Sequence, residues 1–149
     1  VGLPHIAWRA TASAVSNVDV LADALAWLIG DEDAVELDRT RSFHGPELTL
    51  VKASTSNKRQ AARSFARLGE ANLRQLMEEF DQRLDHQRVL HFRLSMDSLI
   101  EGNPKLVDST EAGTVKGQAK FELYSGLPAE DQLRATFDEA LELAARLHP

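Results

Sequence analysis

The chain of 149 residues has the size of one domain, and it is long enough to bury an apolar core without a crosslink. It contains no cysteine, which excludes disulfides, thiolate metal sites and cysteine nucleophiles and favours a reducing, cytoplasmic setting. A formal net charge of −6 argues against binding nucleic acid through bulk positive charge, so any such binding would need a local basic patch. The apolar runs are too short to cross a membrane.

The first half of the chain contains strand and helix patterns. Apolar and polar residues alternate over residues 6–14, which predicts a strand, and apolar residues at helical spacing over 18–29 predict a helix. Alternation at residues 35–38 predicts a second strand. After a break at residues 43–46, a third strand is expected over 48–55, and the second and third strands should form an antiparallel hairpin.

The second half begins with helices and then returns to strands. Residues 58–68 have a helical pattern, and an apolar helical face follows over 73–84. Alternation at 89–96 and again at 115–123 predicts two more strands, and a helix from 128 to 147 ends the pattern. This order predicts a single-domain α+β fold, with a mainly antiparallel five-stranded sheet, helices packed on one face and the other face partly open.

Basic residues are segregated from acidic ones in two places. None of the strand residues expected to point outward to one side of the sheet is acidic. They are Arg9, Thr11, Lys52, Ser54, His91, Arg93, Lys116, Gln118 and Lys120. In addition, residues 48–69 include no Asp or Glu, whereas they include Lys52, Lys58, Arg59, Arg63 and Arg67. Because they are spaced by four, Arg59, Arg63 and Arg67 should lie on one helix face, which we call the helix stripe.

This segregation has two interpretations. An ordinary solvated helix face, balanced by acidic neighbours in space, would show the same pattern. Alternatively, the guanidinium groups bind phosphate, since their forked donors match phosphate oxygens and each neutralised phosphate releases counterions. The second interpretation predicts contacts that position a nucleic-acid backbone without reading its sequence.

Motifs for catalysis and metal binding are sparse. The five histidines lack the spacing of a helical metal site, so structural or surface roles are expected. Asp97, Glu101 and Asp108 could meet near a turn and hold a divalent cation, although a capping residue and solvated carboxylates are the simpler expectation. The sequence contains no GxSxG, P-loop or GxGxxG motif. We therefore predict no enzyme, no cofactor and no metal site.

Four segments together resemble a known family. HIAWRATASA, FHGPELTL, FRLSMDSLIEG and KGQAKFELY resemble, in this order, archaeal RNA-binding proteins that are predicted exosome subunits with a double-stranded-RNA-binding-domain-like fold. The hairpin loop of that family reads roughly G-Y-x-G-N-P. Its aromatic, glycine and proline positions are matched, without the asparagine, by Phe43, His44, Gly45 and Pro46.

A later strand of this chain departs from the family pattern. Gly102 matches a family glycine, whereas Ser95 and Met96 stand where a charged Asp and Lys would fall, which weakens the case for an RNA contact there. The resemblance implies an α+β fold similar to that of certain ribosomal proteins. It also implies binding to structured RNA, with exosome or ribosomal components as associated partners, and such RNA is usually recognised through shape and phosphates.

We therefore expect a non-enzymatic protein that binds structured RNA through phosphates and shape. The predicted contacts are Lys52, Lys58, Arg59, Arg63, Arg67, Arg93, Lys116 and Lys120, with the loop at residues 43–46 as a shape probe. One alternative is a protein-interaction or homodimer module in which a partner covers the open sheet face. A second alternative is a small metal-dependent hydrolase that uses Asp97, Glu101 and Asp108. Neither the RNA sequence preference nor the oligomeric state follows from the sequence.

Overall fold

The computed structural model describes residues 2–13, 18–41, 47–108 and 113–147. The strands are β1 (His5–Ser13), β2 (Val35–Arg41), β3 (Glu47–Thr55), β4 (Val89–Ser95), β5 (Leu106–Val107) and β6 (Thr114–Lys120). The helices are α1 (Val18–Ile29), α2 (Lys58–Ala66), α3 (Glu70–Arg83), α4 (Met96–Ile100) and α5 (Ala129–Leu147), with a short 3-10 helix at Glu32–Ala34. Within these ranges, no helix is both long and apolar enough to span a membrane.

The strands form one antiparallel sheet with the order β2-β3-β1-β6-β4-β5. This arrangement confirms the predicted α+β fold and the hairpin of β2 with β3. The predicted number of five strands was wrong, because β5 adds a sixth strand beside β4. A strand of two residues is too short to show an alternating pattern, and it exists because the chain after α4 returns to place Leu106 opposite Leu94.

Helices cover one face of the sheet, and the core lies between the two layers. Alternate strand residues point into this layer and are buried, whereas α1 packs against β3, α2 against β1 and α3 against β4. The centre is a cluster of aromatic rings with centroids between 5.4 and 6.3 Å apart, formed by Trp8, Phe65, Phe92, Phe121 and Phe137. The Trp8 indole Nε1 donates a hydrogen bond to the buried Ser64 hydroxyl at 2.8 Å, which satisfies its polar group.

The middle of β6 is a glycine, because two aromatic rings occupy the space of a side chain. Gly117 pairs with Trp8 of β1 on one side and with Phe92 of β4 on the other. A Cβ atom on Gly117 would lie 2.5 Å from the Phe92 ring and 2.7 Å from the Trp8 ring. Those two rings contact each other edge to face across β6.

Candidate nucleic-acid interface

The face of the sheet opposite the helices carries the residues predicted to point outward. Their alternation with the buried set is observed in β1, β3, β4 and β6, and all of them are exposed or half-buried. The prediction that they share one side of the sheet is therefore confirmed for Arg9, Thr11, Lys52, Ser54, His91, Arg93, Lys116, Gln118 and Lys120. At one margin, β2 adds the acidic residues Glu36 and Asp38 to this face.

Strand pairing places four cations in one line across the sheet, which we call the basic row. Lys52 of β3 is opposite Arg9 of β1. Arg9 is also opposite Lys116 of β6, and Lys116 is opposite Arg93 of β4. Directly opposed residues of antiparallel strands have Cβ atoms about 4.5–5.5 Å apart, and like charges on such opposed residues destabilise the sheet. A bound anion would relieve this repulsion.

The two ends of the basic row have protein partners. Lys52 lies 3.7 Å from the Glu36 carboxylate, with both side chains largely exposed, and Arg93 donates a hydrogen bond to the Thr114 hydroxyl at 3.1 Å. Among the residues that the structure describes, neither Arg9 nor Lys116 forms an ion pair. The centre of the row therefore has the least compensated positive charge.

A shallow pocket of about 180 Å³ opens at the β4 end of the basic row. Its polar lining residues are Arg83, His91, Arg93, Asp108 and Lys116. The Arg83 side chain, only 15% exposed, reaches the pocket from the last turn of α3. Its guanidinium lies 2.8 Å from Glu79 and 3.0 Å from Asp108. The pocket thus combines three cationic side chains and a histidine with one largely exposed carboxylate.

His91 is held at this pocket by a carboxylate from the turn after α3. The His91 Nε2 atom lies 2.7 Å from the Asp85 Oδ2 atom. The other Asp85 oxygen accepts hydrogen bonds from the backbone N–H groups of Gln87 and Val89. The hydrogen bond with His91, supported by these N–H donors, lowers the pKa of Asp85 to about 2. The carboxylate is therefore ionised at neutral pH and orients the imidazole.

The helix stripe lies on the other side of the molecule. α2 buries Ala61 and Phe65 in the core and contacts β1 and α5, so its solvent face points away from the basic row. Arg59 and Arg63 are exposed on that face. The residues predicted to contact RNA therefore form two surfaces, one on each side of the sheet.

Two members of the predicted basic set, one at each end of α2, have contacts within the protein. The Arg67 guanidinium is half-buried beside Gly30 and donates a hydrogen bond to the Leu28 carbonyl at 3.2 Å. Burial lowers the pKa of Arg67 from its usual value. Lys58 forms a 2.8 Å hydrogen-bonded ion pair with Glu122, and this hydrogen bond raises the pKa of Lys58. Arg59 and Arg63 are therefore more accessible to phosphate than these two side chains.

Two charged residues of this surface were not among the predicted RNA contacts. Arg9 was expected to point outward but not to bind RNA, although the strand order places it between Lys52 and Lys116. Arg83 belongs to a helix, and it lines the pocket beside Arg93, where it pairs with Asp108 just after β5. The basic residue in the last helical turn is a weak sequence signal, because such residues usually interact with the helix dipole.

The remaining predictions concern the hairpin loop and a metal site. Phe43, His44, Gly45 and Pro46 lie outside the described residues, so their role as a shape probe stays a prediction. In the part of the chain that is described, no group of three or more His, Asp or Glu side chains is arranged to hold a metal ion. The hydrolase alternative has no metal cluster there, and Asp108 pairs with Arg83.

The chain and its fold are similar to known proteins. A family model described as RNA binding matches residues 5–121, a range that includes every strand of the sheet. The fold is similar to a DUF54 protein from Methanothermobacter thermautotrophicus, with 18% identity, a TM-score of 0.67 and full coverage of both chains. A DUF54 protein from Archaeglobus fulgidus is 15% identical, with a TM-score of 0.64 and coverage of 97% of this chain and 99% of that chain.

A third structure, a UPF0201 protein from Methanococcus jannaschii, is 11% identical, with a TM-score of 0.57 and coverage of 92% of each chain. At these identities the similarity concerns the fold. No curated protein matches the sequence.

Proposed function

This chain belongs to the RNA-binding family, and on that premise we propose that it is a non-enzymatic protein whose open sheet face binds the phosphates of structured RNA. The observation that carries the proposal is the basic row, in which Arg9 and Lys116 lie opposite each other and form no ion pair among the described residues. Repulsion within the row favours binding of a polyanion over binding of a neutral ligand.

The length of the basic row suits a nucleic-acid backbone. Neighbouring strands are about 4.8 Å apart, so the three intervals from Lys52 to Arg93 span roughly 14 Å. That distance exceeds one phosphate group, which favours contacts to several phosphates. Arg9 and Arg93 provide forked donors for phosphate oxygens, and Lys116 provides a point charge. The pocket beside Arg93 adds a concave position for one of these phosphates.

The composition of the open face favours structured RNA over unpaired bases. Proteins that bind single strands stack the bases on aromatic side chains. Within the described strands, the outward-facing positions contain no Phe, Tyr or Trp. The tryptophan of β1 and the phenylalanine of β4 point into the core. Recognition through phosphates and backbone shape is therefore the mode that this surface supports. An exosome or ribosomal partner, which the family resemblance implies, is a finer prediction of the same proposal.

Fluorescence anisotropy with an RNA hairpin, repeated at several salt concentrations, tests the proposal. The variant Arg9→Gln/Lys116→Gln should bind about a hundredfold more weakly or worse, because the two lost charged hydrogen bonds together remove roughly 3–6 kcal/mol. The plot of log affinity against log salt should become less steep by about two, one for each lost phosphate contact. An unpaired RNA of the same length should bind more weakly than the hairpin.

The matched control is Arg59→Gln/Arg63→Gln, which removes the same charge from the opposite side of the molecule. We expect it to change the affinity and the salt slope less than the variant of the basic row. Equal effects of the two pairs would show that net charge, and not the sheet face, determines binding. If the unmodified protein does not bind the hairpin at low salt, the proposed function is wrong.

A homodimer formed through the open face is the competing use of the same surface. Two copies that meet face to face would bring their basic rows together, and like charges across an interface are unfavourable. Light scattering distinguishes the two uses, because the proposal expects a protein that does not associate through this face. An oligomer that dissociates when Arg9 and Lys116 are replaced by glutamate would support the homodimer.

A further inference from the structure

A second surface lies between α1 and α4, in the helix layer, and it has the opposite charge. An apolar groove of about 420 Å³ is lined by Val20, Asp23, Ala24, Trp27, Leu99, Ile100 and Gly102. Trp27 is 40% exposed and Ile100 is 37% exposed. We call this surface the α1–α4 groove. It lies away from the basic row, because α1 packs against the helix-covered face of the sheet.

α1 has more apolar surface than the core needs. Its core side is formed by Leu21, Leu25 and Leu28, which are fully buried. Its groove side is formed by Val20, Ala24 and Trp27 at helical spacing, and the largest of these is substantially exposed. A surface helix usually has one apolar face toward the core and a polar face toward solvent. The additional apolar face, with an exposed indole, is typical of a protein-binding surface.

The charged residues within the two segments that form the α1–α4 groove are all acidic. No Lys or Arg occurs from residue 10 to residue 38, a segment that includes α1, or from residue 94 to residue 104, a segment that includes α4. Exposed acidic side chains lie in or beside this lining, and they are Asp19 and Asp23 of α1, Asp97 of α4 and Glu101 at the C-terminal end of α4. A polyanion such as RNA is repelled here, whereas a cationic ligand is attracted.

We propose that the α1–α4 groove binds a basic amphipathic segment of a protein partner. Apolar side chains of that segment pack against Trp27 and Ile100, and its lysines or arginines pair with the carboxylates at the rim. Charge complementarity identifies this class of occupant, because both helices of the groove contribute acidic residues and neither contributes a basic one. The protein can hold RNA on the sheet face and a protein on the helix layer at the same time.

Tryptophan fluorescence offers a direct test with a defined probe. The chain has two tryptophans, and Trp8 is buried, so Trp27 reports on the groove. A synthetic amphipathic helical peptide of leucine and lysine should shift the emission to shorter wavelength as it covers Trp27. A peptide with glutamate in place of lysine should not bind. The variant Trp27→Ala lacks this signal, so its binding is measured by fluorescence anisotropy of the labelled peptide. Its affinity for the peptide should be lower by about tenfold or more.

Variants that neutralise acidic side chains test whether the peptide binds in the groove or is attracted to an acidic protein in general. Asp19→Asn/Asp23→Asn should weaken peptide binding about threefold or more and reduce its salt dependence, whereas affinity for the RNA hairpin should not decrease. The matched control Asp138→Asn/Glu142→Gln removes the same charge from exposed positions on α5 and should weaken peptide binding less.

Three outcomes overturn the proposal. The first is no binding of the leucine–lysine peptide, and the second is an equal loss of affinity in the two pairs of neutral variants. The third is a dimer in light scattering that Trp27→Ala converts to a monomer, because a second copy of the chain would then be the occupant. Peptide binding does not depend on the sheet face, so failure here leaves the proposed RNA binding intact.

Discussion

Neighbouring residues along each strand point to opposite faces of the sheet, and one face is apolar and buried whereas the other is basic and open to solvent. Gly117 of β6 faces the rings of Trp8 and Phe92 in the core. Its neighbour Lys116 faces solvent between Arg9 and Arg93. Because successive side chains of a strand point to opposite faces, the sequence can vary on one face without altering the other. The largest losses of stability and of RNA affinity are therefore expected from different residues of the same strands.

The largest effect is expected on the core face, from Gly117→Ala. The new methyl group would lie 2.5 Å from one aromatic ring and 2.7 Å from another, and both rings are buried in the core. Overpacking of this kind costs about 1–3 kcal/mol, and two opposed rings place this site near the upper value. Urea denaturation should show the loss as a lower midpoint. Affinity of the folded protein for the RNA hairpin should stay the same.

Gln118→Ala on the same strand is the matched control, since Gln118 faces the open side. Its effect on the free energy of unfolding should stay within about 0.5 kcal/mol, as for most surface positions. Similar losses in the two variants would mean that the faces are not independent. An unchanged midpoint for Gly117→Ala would show that the rings of Trp8 and Phe92 can move apart.

A smaller effect of opposite sign is expected on the open face. Arg9→Gln/Lys116→Gln should raise the free energy of unfolding by about 0.2–1 kcal/mol, because it relieves repulsion between opposed cations. The gain should decrease as salt screens the charges. The same variant should bind RNA more weakly. Urea denaturation at low and high salt measures the change.

Arg134→Gln provides the comparison for a paired cation. Arg134 lies 3.1 Å from Glu130 one turn earlier on α5, so its replacement should lower stability by about 0.3–0.5 kcal/mol. If the variant of the basic row also loses stability, the row is satisfied within the free protein, and relief of repulsion is not a reason for it to bind an anion.

A pH-dependent effect is expected from the carboxylate that orients His91. The pKa of Asp85 is about 2 in the folded protein because His91 and backbone N–H groups hydrogen-bond to it. The unfolded value is roughly 3.9. A lowered folded pKa stabilises the protein above the unfolded value, and this contribution is lost as pH falls through about 2.

Asp85→Asn should therefore remove the part of the acid-induced loss of stability that occurs between about pH 4 and pH 2. Thermal unfolding across this pH range measures the difference between the variant and the original protein. Asp81→Asn, at an exposed position on α3, serves as the control and should leave the pH dependence unchanged. Parallel pH curves for the original protein and Asp85→Asn would contradict the hydrogen-bonded carboxylate described here.

Strand alternation was sufficient to predict which side chains share the open face. The period of two placed Arg9, Lys52 and Lys116 on the side without helices, and this depends only on local backbone geometry. The order of strands could not be predicted in the same way, because it depends on pairing between distant segments. β1 lies between β3 and β6, and only this order places Arg9 at the centre of the basic row.

For α2, the sequence predicted the helix but not its position in the fold. The spacing of Arg59, Arg63 and Arg67 identified a helical face, and residues 58–66 are indeed helical. The sequence did not indicate which side of the sheet that helix covers, because this depends on packing with α5 and β1. It also did not show that the C-terminus of α1 would bring the Leu28 carbonyl to the Arg67 guanidinium.

The two margins of the sheet affect how the protein behaves at high concentration. β5 is only two residues long, and β2 carries Glu36 and Asp38 on the open side. Very short strands and charged side chains at an edge both hinder the addition of a strand from another molecule. A sheet whose edge strands are long and unprotected is otherwise prone to add strands from other molecules. These margins favour a dispersed protein in which the uncovered face remains accessible to a ligand.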